Sequence, residues 1–198
     1  MSKNTFNKNE FYNTNRAFNR FNDVFVKYLL TKENHKKFLL DLINAVFDDC
    51  PPDCLKGKII DLTLEDRELT VMHEKEKYGR LDIRALTNEN QIIDIELQTY
   101  AQSDLGDREL FYFSKIFSSQ PAQGFKYSQL KPVIIINILA INIFKRSRYH
   151  SCYTLNEKFD SELLSSKISF HLIEAQKCKN LNDKIDVLTG LKTDDSYC

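Results

Sequence analysis

Apolar residues recur at three- and four-residue steps between Asn15 and Phe47. Phe18, Phe21, Phe25, Tyr28 and Leu29 make one stripe, and Phe38, Leu39, Leu42, Ile43 and Val46 make another. The spacing predicts two amphipathic helices, separated at Thr31-Lys32-Glu33-Asn34. The second ends before Pro51-Pro52, whose rings cannot extend it. After a turn through Lys56 and Gly57 the pattern changes to short extended segments: Lys58 to Leu64, Leu81 to Leu86 and Gln91 to Gln98. The polar stretch Thr87-Asn88-Glu89-Asn90 joins the last two as a hairpin. Leu105 to Ser119 returns to helical spacing, with Leu110, Phe113, Ile116 and Phe117 on one side. Val133 to Leu139 is an apolar run, broken only by Asn137, suited to a strand covered on both faces, and a last strand is expected over Ile168 to Glu174. Helix, three strands, helix, strand, without internal repeats, predicts an α/β or α+β domain.

Composition narrows this little but excludes several classes. A chain of 198 residues with 42% hydrophobic and 28% charged residues fits one folded domain. Only 5 glycines and 4 prolines disfavour a turn-dense all-β design. The 28 basic and 28 acidic residues cancel, so a nucleic-acid partner would have to be met by a local basic surface. The N-terminal MSKNTFNKNEFYNTNR lacks the apolar core of a secretory signal. The run from Val133 to Phe144 is interrupted by Asn137 and Asn142 and falls short of the roughly 20 residues of a membrane span. The protein is therefore expected to be cytoplasmic, with no membrane contact. Five cysteines at irregular spacing do not suggest a disulfide framework. The expected organisation is a polar segment over 1–15, one domain over 16–178 and a short polar tail over 179–198.

The chemistry concentrates in Gly79-Arg80-Leu81-Asp82-Ile83-Arg84-Ala85 and Ile92-Ile93-Asp94-Ile95-Glu96-Leu97-Gln98. Alternation in the second segment puts Ile93, Ile95 and Leu97 on one face and Asp94, Glu96 and Gln98 on the other. If the two strands pair, Asp82 and Glu96 converge on the polar face as two hard oxygen ligands of the kind Mg²⁺ or Mn²⁺ accepts. Such a site suits phosphodiester hydrolysis. The same alternation fits a solvated face of a half-exposed strand equally well.

These residues resemble the PD-(D/E)XK nuclease superfamily, in particular its bacterial recombination-promoting nuclease or transposase-like family. The likeness includes Asp23-Val24-Phe25-Val26-Lys27-Tyr28-Leu29, Leu42-Ile43-Asn44-Ala45-Val46, Arg80-Leu81-Asp82-Ile83 and Ile95-Glu96-Leu97-Gln98. It continues through Arg108-Glu109-Leu110-Phe111-Tyr112-Phe113-Ser114-Lys115, Gly124-Phe125-Lys126-Tyr127 and Leu130-Lys131-Pro132-Val133-Ile134, ending near His171-Leu172-Ile173-Glu174. The resemblance implies an α/β restriction-endonuclease-like core, with a mixed central β-sheet flanked by helices, that cleaves DNA with Mg²⁺ or Mn²⁺. It makes Asp82 the central metal-ligating aspartate, Glu96 the second acidic ligand and the Leu97 carbonyl a third. Asp23 becomes the helix-borne acid; read alone, it equally fits a carboxylate near a helix start. Gln98 stands where the superfamily has lysine. It can orient water but supplies no charge, which leaves water activation mainly to the metal. DNA is the expected partner, and a homodimer is left open. The family's members continue past the last core strand with further helices, whereas only Leu181 to Cys198 follow here. A catalytically inactive, truncated remnant that keeps the fold and binds DNA or itself is the alternative.

Arg108 and Lys115, about two helical turns apart, are candidates for contacting the scissile phosphate. Lys145, Arg146 and Arg148, with His150, form one basic cluster, and Lys27, Lys32, Lys36 and Lys37 another. On a DNA-processing protein these contact phosphates, and elsewhere they are ordinary solvated surface. Cys50 and Cys54 have a spacing that zinc sites sometimes use, but no second pair follows at a regular interval, so zinc is not expected. Cys152, Cys178, His73, His150 and His171 are scattered, and His171 reads as a satisfied sheet residue. No glycine-rich phosphate loop is visible.

Overall fold

Among the described residues, six strands form one mixed sheet. A computed structural model of the protein describes residues 26, 30–32, 35–50, 58–65, 80–100, 103–120, 124 and 126–178, with the backbone alone described at 80–82. Most of the first predicted helix, the Pro51-Pro52 turn and the tail lie outside the described residues. So do Asp23, Lys27, Cys54 and His73.

Helix α1 (Lys36–Asp48) leads into strands β1 (Leu62–Leu64), β2 (Arg80–Thr87) and β3 (Ile92–Gln98). Helix α2 (Leu105–Ser118) then crosses to β4 (Val133–Leu139), followed by β5 (His150–Asn156) and β6 (Leu163–Glu174). The spatial order is β1-β2-β3-β4-β6-β5. β3, β4 and β6 run parallel, and the other pairs are antiparallel. A helix is needed between β3 and β4 because parallel neighbours require a crossover, which the α2 pattern supplies.

The predicted hairpin forms, with Thr87 to Asn90 as its turn. The Thr87 N–H donates to the Gln91 carbonyl at 2.9 Å, and Asn90 takes φ 58°, a left-handed conformation that asparagine tolerates. β5 was not foreseen. Its sequence, HSCYTLN, has no apolar alternation, because as an outer strand it buries mainly His150 and Ser151. Pairing with β5 also carries β6 five residues upstream of its expected start.

Each face of the sheet has its own apolar cover. Leu39, Ile43 and Val46 of α1 pack on Ile93, Ile95, Leu97, Ile134, Ile136 and Ile138. Ile116, Phe113 and Phe117 of α2 pack on Ile92, Val133 and Ile135, and Leu105 packs on Leu139 and Leu172. Burying one such aliphatic side chain contributes about 1.5–3 kcal/mol, so the two covers dominate the stability. Asn44 fastens α1 to the segment before β1, accepting from the Ile59 N–H at 2.9 Å and donating to its carbonyl at 2.7 Å. The α1 face becomes polar toward β5, where burial, with His150 alongside, pushes His171 down to about 3.

The loop after β4 starts beside β3, with the Ala140 N–H donating to the Gln98 carbonyl at 2.8 Å. Buried Glu174 holds this loop. Its carboxylate accepts from the N–H groups of Ile143 (2.6 Å) and Phe144 (2.9 Å) and pairs with Lys177 Nζ at 2.5 Å. Lys177 in turn donates to the carbonyls of Phe144 and Arg146. Burial alone would raise the Glu174 carboxyl, but Lys177 and the two N–H groups outweigh it and hold the group below its usual range. A pKa lower in the folded than in the unfolded state stabilises the fold above the unfolded value, and the gain is lost as pH falls through the folded value. Glu174→Gln is therefore expected to be less stable than wild type at neutral pH. In urea melts across pH, the difference should shrink below about pH 4, near the unfolded carboxylate pKa.

Candidate metal and nucleic-acid site

The antiparallel register places Asp82 directly opposite Glu96, with Arg84 opposite Asp94 and Arg80 opposite Gln98. Directly opposed residues share a face of the pleat, so both acidic positions lie on the side that α2 covers. This face is not solvated. Asp94, Glu96 and Gln98 are only 1%, 2% and 3% exposed, which removes the reading of a half-exposed strand. Buried carboxylates are costly unless they are paired or bind a cation, so Asp94 and Glu96, with Gln98 beside them, make this face a candidate site.

Their partners divide them. Asp94 Oδ1 accepts from Arg84 Nε at 3.3 Å, a pairing within the hairpin. Glu96 Oε2 accepts from Arg108 Nη2 at 3.2 Å, across the gap between β3 and α2. With its amide oxygen turned toward the guanidinium, Gln98 accepts from Arg108 Nη1 at 2.9 Å and Nη2 at 2.8 Å. One arginine thus bridges the acid and the amide. Leu97 points its side chain into the α1 core, so only its backbone can serve the acidic side.

Two further residues belong here. Asn137 of β4 stands beside Glu96 in the parallel register, is 0% exposed, and both polar atoms of its side chain lack a hydrogen-bond partner among the described residues. Glu109 is buried on the inner side of α2, next to Arg108. The signals were a polar residue interrupting an apolar strand and a glutamate four residues from both Leu105 and Phe113, inside the buried stripe.

The basic candidates separate. Arg108 enters the site, while Lys115 is exposed and places Nζ 4.3 Å from the Phe111 ring. Lys145, Arg146 and Arg148 are exposed on the loop held by Glu174, at the end of the sheet where Glu96 and Gln98 lie. Arg146 donates to Ser151 Oγ at 2.7 Å and to the Tyr153 hydroxyl at 2.9 Å, and it packs on Phe144. Lys36 pairs with Asp61, whose carboxyl it holds below the usual range.

A family model described as PD-(D/E)XK nuclease family transposase matches residues 20–192. The chain belongs to this PD-(D/E)XK family. No curated protein and no solved structure matches the chain. The mixed six-stranded sheet with α1 and α2 on its two faces is the restriction-endonuclease-like fold expected of a PD-(D/E)XK protein. No helix among the described residues is long and apolar enough to cross a membrane.

Proposed function

We propose that this PD-(D/E)XK protein is a divalent-metal-dependent DNA endonuclease of the transposase-like, recombination-promoting type. The observation that carries the reading is Glu96, a carboxylate 2% exposed, opposite Asp82 and beside the unsatisfied amide of Asn137. A buried set of carboxylate, amide and backbone oxygens suits a hard cation such as Mg²⁺ or Mn²⁺. Asp82, Glu96 and the Leu97 carbonyl would hold it, with Asp23 as the helix-borne acid. When bound, the ion polarises the phosphate and lowers the pKa of a coordinated water.

The chain's own residues do the rest. Gln98 fixes the Arg108 guanidinium and cannot carry charge itself, so Arg108 supplies the cation that faces the phosphate and steadies its developing charge. Asn137 can hydrogen-bond a water or a phosphate oxygen from within the sheet. Lys145 and Arg148, with Lys27, Lys115 and Arg146, contact backbone phosphates beyond the scissile one, and each contact adds to the salt dependence of binding.

A second reading, a protein that holds DNA without cutting it, draws on the Arg108–Glu96 pair, because that contact engages a carboxylate the metal needs. Incubation of supercoiled plasmid with Mg²⁺ or Mn²⁺ decides between them. Nicked or linear product that disappears with chelator is expected. DNA retention in a mobility-shift assay without cleavage under either ion would overturn the endonuclease reading in favour of the second.

A further inference from the structure

The opposite, α1 face carries a second cluster that the nuclease chemistry does not use. Cys50 follows the C-terminal end of α1. His150 and Cys152 are two residues apart on β5 and so share a face, and Cys152 lies directly across from His171 of β6. The ligand atoms of Cys50, Cys152 and His171 all lie within 4.8 Å of one another. His150 joins them: its Nε2 is 3.1 Å from His171 Nδ1 and 3.9 Å from Cys50 Sγ, and Cys50 Sγ is 3.4 Å from His171 Nδ1.

We propose that Cys50, Cys152, His150 and His171 form a tetrahedral zinc site that ties the end of α1 to the β5–β6 hairpin. Zinc bound at about 2.0–2.1 Å to nitrogen and about 2.3 Å to sulfur sets its ligands about 3.3 Å apart for two nitrogens and about 3.5 Å for nitrogen and sulfur. The three separations among Cys50, His150 and His171 follow that pattern, with the Cys50–His150 pair slightly wide, while His150, outside the group whose atoms all lie within 4.8 Å of one another, has to close on Cys152 when the ion binds. The hydrogen bonds behind the ring also aim it. His150 Nδ1 lies 2.8 Å from Asp49 Oδ2, and a carboxylate only accepts, so Nδ1 carries the proton and Nε2 turns a lone pair toward the cluster. Asp49 also receives the Tyr149 hydroxyl, and His171 Nε2 is 3.1 Å from Ser169 Oγ, which leaves its Nδ1 facing inward. Such partners behind ligating imidazoles are how proteins orient metal-binding histidines.

Binding deprotonates both thiols and releases two protons to solvent. Two thiolates and two neutral imidazoles then balance the ion's charge, so the half-buried site carries no net charge. Four protein ligands leave no open position, which makes the role structural. The ligands are separated by 100 and 121 residues along the chain, so zinc would close long loops that no disulfide among the described cysteines closes. A motif search by spacing misses the site because sheet register, not a local knuckle, brings the ligands together.

The full-length protein, purified with added zinc, should carry about one zinc per chain. Replacing zinc by Co²⁺ should give visible tetrahedral bands and a thiolate-to-cobalt charge-transfer band in the near ultraviolet. That band distinguishes sulfur ligands from the oxygen-lined Glu96 site, and it should persist in Glu96→Gln. Cys152→Ser, which leaves one thiolate, should lower the band to half or less, and the Cys50→Ser/Cys152→Ser double variant should lose it. Asp49→Ala, a milder change at a partly exposed residue, should weaken zinc binding roughly 10–100-fold. Chelation of the wild type should raise the number of rapidly reacting thiols by two and lower the melting temperature. A folded wild type without a cobalt–thiolate band, unchanged thiol reactivity on chelation, or a Cys50–Cys152 disulfide in unreduced protein would each overturn the proposal. None of these readouts depends on DNA cleavage, so the zinc site and the endonuclease reading stand or fall separately.

Discussion

Glu96→Gln is expected to lower metal-dependent plasmid cleavage at least about a thousandfold while the protein still folds. Glutamine keeps the size of the side chain and an oxygen that can accept from Arg108, so packing under α2 changes little. The substitution removes one negative charge from the place where the proposed cation sits. Charge stabilisation by a bound metal is worth several kcal/mol in the transition state, and every 1.36 kcal/mol is a factor of ten in rate. Asp82→Asn should behave alike, because the register places position 82 directly across from Glu96. If both acids hold one ion, the double variant should be hardly slower than either single one, as happens when residues act as a unit. Cleavage at wild-type rate by Glu96→Gln, with the same metal requirement, would mean that the nuclease centre lies elsewhere or that the activity is a contaminant.

The acids could be paired from sequence because a hairpin with a polar turn leaves few registers, and alternation then assigns the faces. The β4 run is readable for a related reason: six apolar residues in seven, broken only by Asn137, fit a strand covered on both sides, and all seven are buried. What covers a face is not local information. Alternation in β3 gives one polar side whether that side meets water or a helix, and only α2 folding back over it shows that Glu96 and Gln98 are buried. Arg108 could be placed on a helix from its spacing, but its reach to both residues depends on how α2 crosses the sheet. Asn137 interrupts an apolar run, which by sequence alone only limits the run's length; its value lies in standing next to Glu96 in the sheet. β5 escaped because an edge strand with a register shift against its partner buries too few residues to leave a period-two signal.

Arg108→Ala tests how the buried pair and the chemistry depend on each other. Arg108 and Glu96 are 12% and 2% exposed at their side chains, so alanine leaves a carboxylate in a low-dielectric site without this counter-ion. Removing one partner of a buried pair costs about 3–5 kcal/mol, against about 0–1 kcal/mol for a surface pair. A loss of that size in urea-unfolding free energy is expected, with Arg108→Lys intermediate because it restores charge but not the fork that also engages Gln98. Mg²⁺ should recover more of the melting temperature in Arg108→Ala than in wild type, since a cation favoured by the carboxylates stabilises the folded state by mass action. Kinetics then separate two roles for the guanidinium. If it only holds the place of the metal, Arg108→Ala should bind metal more tightly and cleave as fast at saturation. If it contacts the phosphate as proposed, turnover at saturating metal should fall by roughly 10²–10³-fold, the usual loss when one preorganised donor to a developing negative charge is removed. The second result is expected, because Gln98 holds Arg108 independently of Glu96 and would keep the guanidinium in place once a cation takes over the carboxylate.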